Sequence, residues 1–132
     1  MTQEEKQLLL RDLCARLPYG VICEDRYGND CKLNGIDIPN TATFKSSDRI
    51  GWVTDLDGCK PYLFPMPNAD EDERYNKFLD ELIEIELKVI SGELERGDAL
   101  RFEMNYYHEN HIDCGGLIPK GLAIDATGLN IY

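Results

Sequence analysis

The sequence predicts a single α+β domain, and three observations carry that prediction. Apolar residues recur at helical spacing near the N-terminus, short extended runs broken by turn residues fill the chain to about residue 64, and two further helical patterns follow. The expected architecture is an N-terminal helix, a small antiparallel sheet of four to five strands, and two C-terminal-half helices packing on it.

Thr2 followed by Glu5 reads as a capping box, and Leu9, Leu13 and Leu17 with Leu10 and Cys14 keep helical spacing until Pro18 stops the pattern. Tyr19 to Asp25 and Cys31 to Ile38 flank Tyr27-Gly28-Asn29-Asp30, which predicts a hairpin. Ile50 to Leu56 and Cys59 to Phe64 flank Asp57-Gly58 and predict a second one. Pro61 confines its strand to an edge or a bulge, and an exposed edge there leaves a homodimer open.

Asn68 with Glu71 offers another capping box, and the acidic run Asp70 to Glu73 suits a helix N-terminus. Tyr75, Phe78, Leu79, Leu82 and Ile83 then mark one apolar face. Residues 83–90 read two ways. Ile83-Glu-Ile-Glu-Leu-Lys-Val89 alternates like a strand, while Leu79, Ile83, Leu87 and Ile90 keep helical spacing and carry the helix to Ser91-Gly92. A third helix is expected from Asp98 to Asn110, then a glycine-rich loop with a short strand or turn near Leu122 to Ile124.

With 132 residues the chain is large enough to bury roughly two-thirds of the surface its unfolded form exposes. Its 42% apolar and 30% charged residues include no run approaching the roughly 18 apolar residues of a membrane helix. The acidic start Met1-Thr-Gln-Glu-Glu lacks the basic and apolar regions of a secretory signal, and the expected location is cytoplasmic. Cys14, Cys23, Cys31, Cys59 and Cys114 are odd in number and contain no Cys-x-x-Cys pair, so free thiols, several of them buried, are expected.

A net charge of −11 makes contact with nucleic-acid phosphates unfavourable. Residues 70–98 alone hold eleven acidic against four basic side chains, a segment charge of −7. Such a segment is either a solvated helix face or an acidic surface that docks a basic protein partner, with Glu73, Asp80 and Glu84 as its candidate residues.

The densest chemistry lies in His108-Glu-Asn-His111-Ile-Asp113-Cys114-Gly115-Gly116. Two imidazoles three residues apart, with Asp113 or Cys114, are weak candidate ligands for a divalent metal, although the spacing misses the His-Glu-x-x-His arrangement by one. Alternatively the histidines cap helix carbonyls. Cys114 beside an imidazole is the minimal pair for a cysteine hydrolase, and otherwise a packing residue. Gly115, Gly116 and Gly121 suit either an anion or a tight turn, and no phosphate-binding or dinucleotide motif accompanies them. Trp52, Tyr62, Phe64, Tyr106 and Tyr107 are either a stacking surface or core.

Three blocks carry a resemblance: Asp12-Leu-Cys-Ala-Arg-Leu-Pro-Tyr-Gly-Val21, Lys60-Pro-Tyr-Leu-Phe-Pro65, and Asn110-His-Ile-Asp-Cys-Gly-Gly-Leu-Ile118 with Gly121-Leu-Ala123. With them the chain resembles a family of small proteins of prophages and mobile elements in gut anaerobic bacteria. That family's pattern is nearer Asp-Tyr-Arg-Gly where this chain has Asp113-Cys114-Gly115-Gly116, so any polar role of that Tyr-Arg pair is missing here. The resemblance brings no activity or cofactor. It implies an intracellular bacterial setting in which small acidic proteins bind host or viral components.

The functional expectation is therefore a non-catalytic interaction protein with a protein partner, acting through the acidic face or through the loop at Asp113, Gly115 and Gly116. Two alternatives stand beside it: a binder of a nucleotide or metal through His108, His111, Asp113 and the glycine loop, and a hydrolase built on Cys114 and a histidine. No cofactor, membrane or direct nucleic-acid contact is expected.

Overall fold

The computed structural model describes residues 2–37, 41–45, 52–55, 58–68 and 73–132. Helix α1 (Gln3–Arg16) begins as the capping box predicts, with Thr2 Oγ1 accepting the Glu5 N–H at 3.1 Å. Its buried residues are Leu9, Asp12, Leu13 and Arg16. That spacing puts two charged side chains on the same face as two leucines. Pro18 converts the next turn to a 3-10 helix (Leu17–Tyr19), and Gly20 closes it at φ 75°.

Strands β1 (Ile22–Glu24) and β2 (Asp30–Asp37) form the expected hairpin, with Cys23 opposite Cys31. The Asp25 carboxylate sets the turn by accepting the Tyr27 and Asn29 N–H groups at 2.8 and 2.9 Å. Strand β3 (Thr41–Lys45) pairs with β2, and β4 (Trp52–Asp55) pairs with β3, all antiparallel.

The second expected hairpin does not form. Strand β5 (Lys60–Leu63) runs on the other side of the sheet, against β1, with Pro61 opposite Cys23. The order is β4-β3-β2-β1-β5-β6, which separates β4 from β5 by three strands. Burial explains the choice: Cys59 and Leu63 join Val21 and Cys23 in one apolar cluster, and Pro61 is also fully buried. That is worth several kcal/mol against a local turn preference of about 1. Asp57, half of the turn signal, lies outside the described residues.

The two-residue β6 (Ile124–Asp125) adds to β5 in parallel, a departure from the all-antiparallel expectation, and pairs only with Tyr62 and Leu63. Pro61 is therefore on an inner strand but outside the β6 ladder, and the anticipated edge contact shrinks to the residues β6 does not reach.

Residues 83–90 are helical, within α2 (Glu73–Ile90). Gly92 at φ 83° ends the helix, with its N–H donated to Val89 O at 3.2 Å and that of Leu94 to Lys88 O at 3.1 Å. Helix α3 (Arg96–Glu109) starts before the expected Asp98, with Glu95 at the N-cap. Glu71 of the Asn68–Glu71 box lies outside the described residues.

Two apolar clusters hold these elements. The larger takes Leu9 and Leu13 from α1, Val21 and Cys23 beside and within β1, Cys31 and Leu33 from β2, Leu63 from β5, and Leu117, Leu122 and Ala123 from the C-terminal loop. The smaller joins Phe78 of α2, Tyr107 of α3 and Ile112. The two later helices meet the sheet through this second cluster, where Ile112 bridges Phe64 at the end of β5. The Arg74 guanidinium adds to that junction, 4.9 Å from the Phe64 ring centre and donating to Pro65 O at 2.7 Å.

Candidate functional site

The end of α3 organises the C-terminal polar cluster. Its termination is of the Schellman type, with the Ile112 N–H reaching Tyr107 O at 2.8 Å and the His111 N–H reaching His108 O at 3.3 Å. His111 occupies the left-handed position at φ 58°, where glycine is the unstrained choice and another residue costs on the order of 1 kcal/mol. Its ring lies flat on Tyr132, centroids 3.6 Å apart and planes within 9°, and its carbonyl accepts the Phe64 N–H at 2.7 Å. Capping of α3 carbonyls, the alternative role offered for the histidines, falls to the Asn110 side chain, 2.9 Å from Tyr106 O.

Arg16 lies behind this turn and is 0% exposed. Its fork grips Asp12, with Nε 2.7 Å from Oδ2 and Nη2 3.0 Å from Oδ1. Nη2 also donates to Ile112 O at 2.6 Å and approaches Cys114 Sγ at 3.9 Å. The guanidinium thus ties α1 to a loop 96 residues away. Nη1 meets no hydrogen-bond partner among the described residues.

Cys114 Sγ is 3.7 Å from His108 Nε2, so the suspected cysteine-histidine pair is adjacent in space. Its electrostatics run against nucleophilic use. Burial raises the Cys114 thiol more than nearby Arg16 lowers it, and burial together with Arg16 lowers the His108 imidazole. Both shifts favour the neutral forms, so a preformed thiolate–imidazolium pair is disfavoured here.

His111 faces Tyr132, away from any shared ligand role: burial and Arg16 push it down to about 4. Asp113 is 6% exposed, and its oxygens accept the Leu117 and Ile118 N–H groups at 2.8 and 2.9 Å. An internal carboxylate therefore fills the place where the glycine loop could have cradled an anion, and Asp113 leaves the candidate interaction surface. Gly116 makes that turn at φ 72°. Gly115 remains exposed. Among the described residues no group of three or more His, Cys, Asp or Glu side chains is placed to hold a metal ion.

The aromatic candidates divide between places. The Tyr62 hydroxyl sits between Asp30 at 2.6 Å and Glu24 at 3.2 Å, and burial with these carboxylates raises it. Phe64 tilts against Tyr132, while Tyr106 and Tyr107 pack around Phe78. Among the described residues they form no continuous stacking platform; the Trp52 side chain lies outside the described residues. Cys23, Cys31 and Cys59 are buried free thiols. The Cys23 thiol is raised by its hydrogen bond with Cys59 and by burial, and burial pushes Cys31 up to about 12.

The acidic face is exposed at Glu73, Asp80 and Glu84. It borders an apolar stripe on α2, Leu79, Ile83, Leu87 and Ile90, which are 37, 47, 59 and 74% exposed. The inward stripe is Phe78 with Leu82. Leu79 and Ile83, expected to share the core-facing side with Phe78 and Leu82, instead turn outward. Leu100 and Met104 of α3 are exposed as well.

Arg16, Asp12 and Tyr132 went unread in the sequence. The signal was the i, i+4 charge pair Asp12–Arg16 inside the Leu9–Leu13 face. Comparison with protein-family models, curated proteins and solved structures gives no match.

Proposed function

We propose that this chain is a non-catalytic interaction protein whose acidic α2 face docks a basic protein partner. The observation that supports the reading is the adjacency on one helix of exposed Glu73, Asp80 and Glu84 and four exposed aliphatic side chains. Contiguous exposed apolar surface is unusual on a monomer and marks contact sites, and a charged border steers and selects the partner. The neutral state favoured at Cys114 and His108 supports the non-catalytic side of the reading. The setting that goes with it is the cytoplasm of a bacterium carrying the gene on a prophage or mobile element.

Affinity capture with the Glu73→Lys, Asp80→Lys, Glu84→Lys variant tests it. The expected outcome is loss of a partner that the unaltered chain retains, at an unchanged melting temperature; equal capture by both proteins removes the acidic face from the account.

A further inference from the structure

We infer that the occupant of this face is a cationic amphipathic helix of the partner, lying lengthwise on the stripe Leu79, Ile83, Leu87 and Ile90. The inference rests on the interaction reading above and adds the chemistry and shape of what binds.

The stripe repeats at steps of four, four and three residues, so it is a straight ridge along α2, about 16 Å long at 1.5 Å per residue. Ile83 also lines a groove of about 330 Å³ between α2 and α3, whose other walls include Leu82, Glu86, Ala99, Leu100 and Glu103. A ridge beside an interhelical groove is the surface that receives an apolar helix face read at i, i+4 and i+7. The length suits about three turns of the incoming helix.

Charge decides among occupants. Residues 73–109 hold ten acidic and five basic side chains. Arg96 is clasped by Glu86 at 2.7 and 2.9 Å, Arg101 by Asp98 at 2.7 Å, and Lys88 lies 3.7 Å from Glu84, so these cations are matched within the chain and the surface keeps its acidic excess. Asp80 and Glu84 follow stripe residues directly, which sets them about 100° round the helix as one bank of the ridge. Glu103 stands on the groove side, next to the matched Glu86–Arg96 pair. A second copy of this chain would bring the same negative banks face to face, and an anionic membrane surface would be repelled. Lys and Arg on both flanks of an apolar stripe complement this arrangement.

The test titrates the full chain with three synthetic 14-residue peptides: a leucine-striped helix flanked by lysines, a scrambled peptide of the same composition, and the striped peptide with glutamates for lysines. The striped cationic peptide should bind, with amide resonance shifts centred on residues 79–90. Binding should be at least tenfold weaker for the scrambled peptide, absent for the acidic one, and at least tenfold weaker to Leu87→Ser/Ile90→Ser, whose altered side chains are too exposed to endanger the fold. Equal binding of striped and scrambled peptides would overturn the inference while leaving the acidic-face reading standing, provided charge reversal at Glu73, Asp80 and Glu84 still abolished it. No binding of the cationic helix, or self-association abolished by Leu87→Ser/Ile90→Ser, would also overturn it.

Discussion

The α1 and C-terminal loop region and the α2 helix invert one another's burial. In the first, Arg16 is 0% exposed and Asp12 only 8%; in the second, Ile90 is 74% exposed. A helix that hides a cation and a helix that displays aliphatics are not using their side chains for the same end. Arg16 answers to a distant carbonyl and a neighbouring carboxylate, so its burial is compensated within the chain. Nothing among the described residues covers the α2 stripe. The lesson is that structural polarity and display surface are separated here, one at each end of the second apolar cluster.

The strongest way to break this comparison is to disarm Arg16. Arg16→Ala leaves Asp12 buried without its fork and Ile112 O without its donor, and should destabilise the chain by about 3–5 kcal/mol in urea titrations. The paired Asp12→Leu, Arg16→Met variant removes both charges and should recover most of that loss. A small effect of Arg16→Ala alone would place the cation outside the structural role given to it.

The next effect separates the two faces of α2. Phe78→Ala, 8% exposed at the start, should cost about 3 kcal/mol, whereas Leu87→Ser and Ile90→Ser should each stay within about 0.5 kcal/mol. Comparable losses at all three sites would mean that the outer stripe is packed in solution. Asp113→Ala should cost about 2 kcal/mol through two lost hydrogen bonds to the carboxylate, and Asp113→Asn less, because its amide oxygen can retain one.

The smallest expected effect is a pH dependence. His111 titrates near 4 in the folded chain and near 6.5 unfolded, so the unfolded chain binds the extra proton first. Stability should be flat above about pH 6.5 and fall as pH drops from there toward 4, with His108 acting in the same direction. His111→Gln, measured by melting temperature against pH, should flatten part of that slope. An unchanged profile would remove His111 from the linkage.

Local chemistry was legible in the sequence, and long-range choice was not. Thr2 and Gly28 each act within a few residues of themselves, so the α1 start and the β1–β2 turn could be read directly, whereas the α2 end at Gly92 was one of two readings that the spacing of residues 83–90 left open. The pairing of β5 with β1 depends on which side buries Cys59 and Leu63, a contest that Asp57-Gly58 cannot signal. In α2, both Phe78 with Leu82 and Leu79 with Ile83 satisfy helical spacing, so the period could not name the inward stripe. Arg16 looked like an ordinary cation in a last helical turn, because its partner carbonyl is 96 residues away. Of the candidate site, His108 and Cys114 were brought together as suspected, and His111 and Asp113 were given to turns.

The most direct test of the central claim is native mass spectrometry of the tagged chain recovered from its host in one gentle step. The account predicts a complex with a second, basic protein, and dissociation of that complex as salt is raised. A chain found alone, doubled, or carrying only the mass of a small molecule would contradict it.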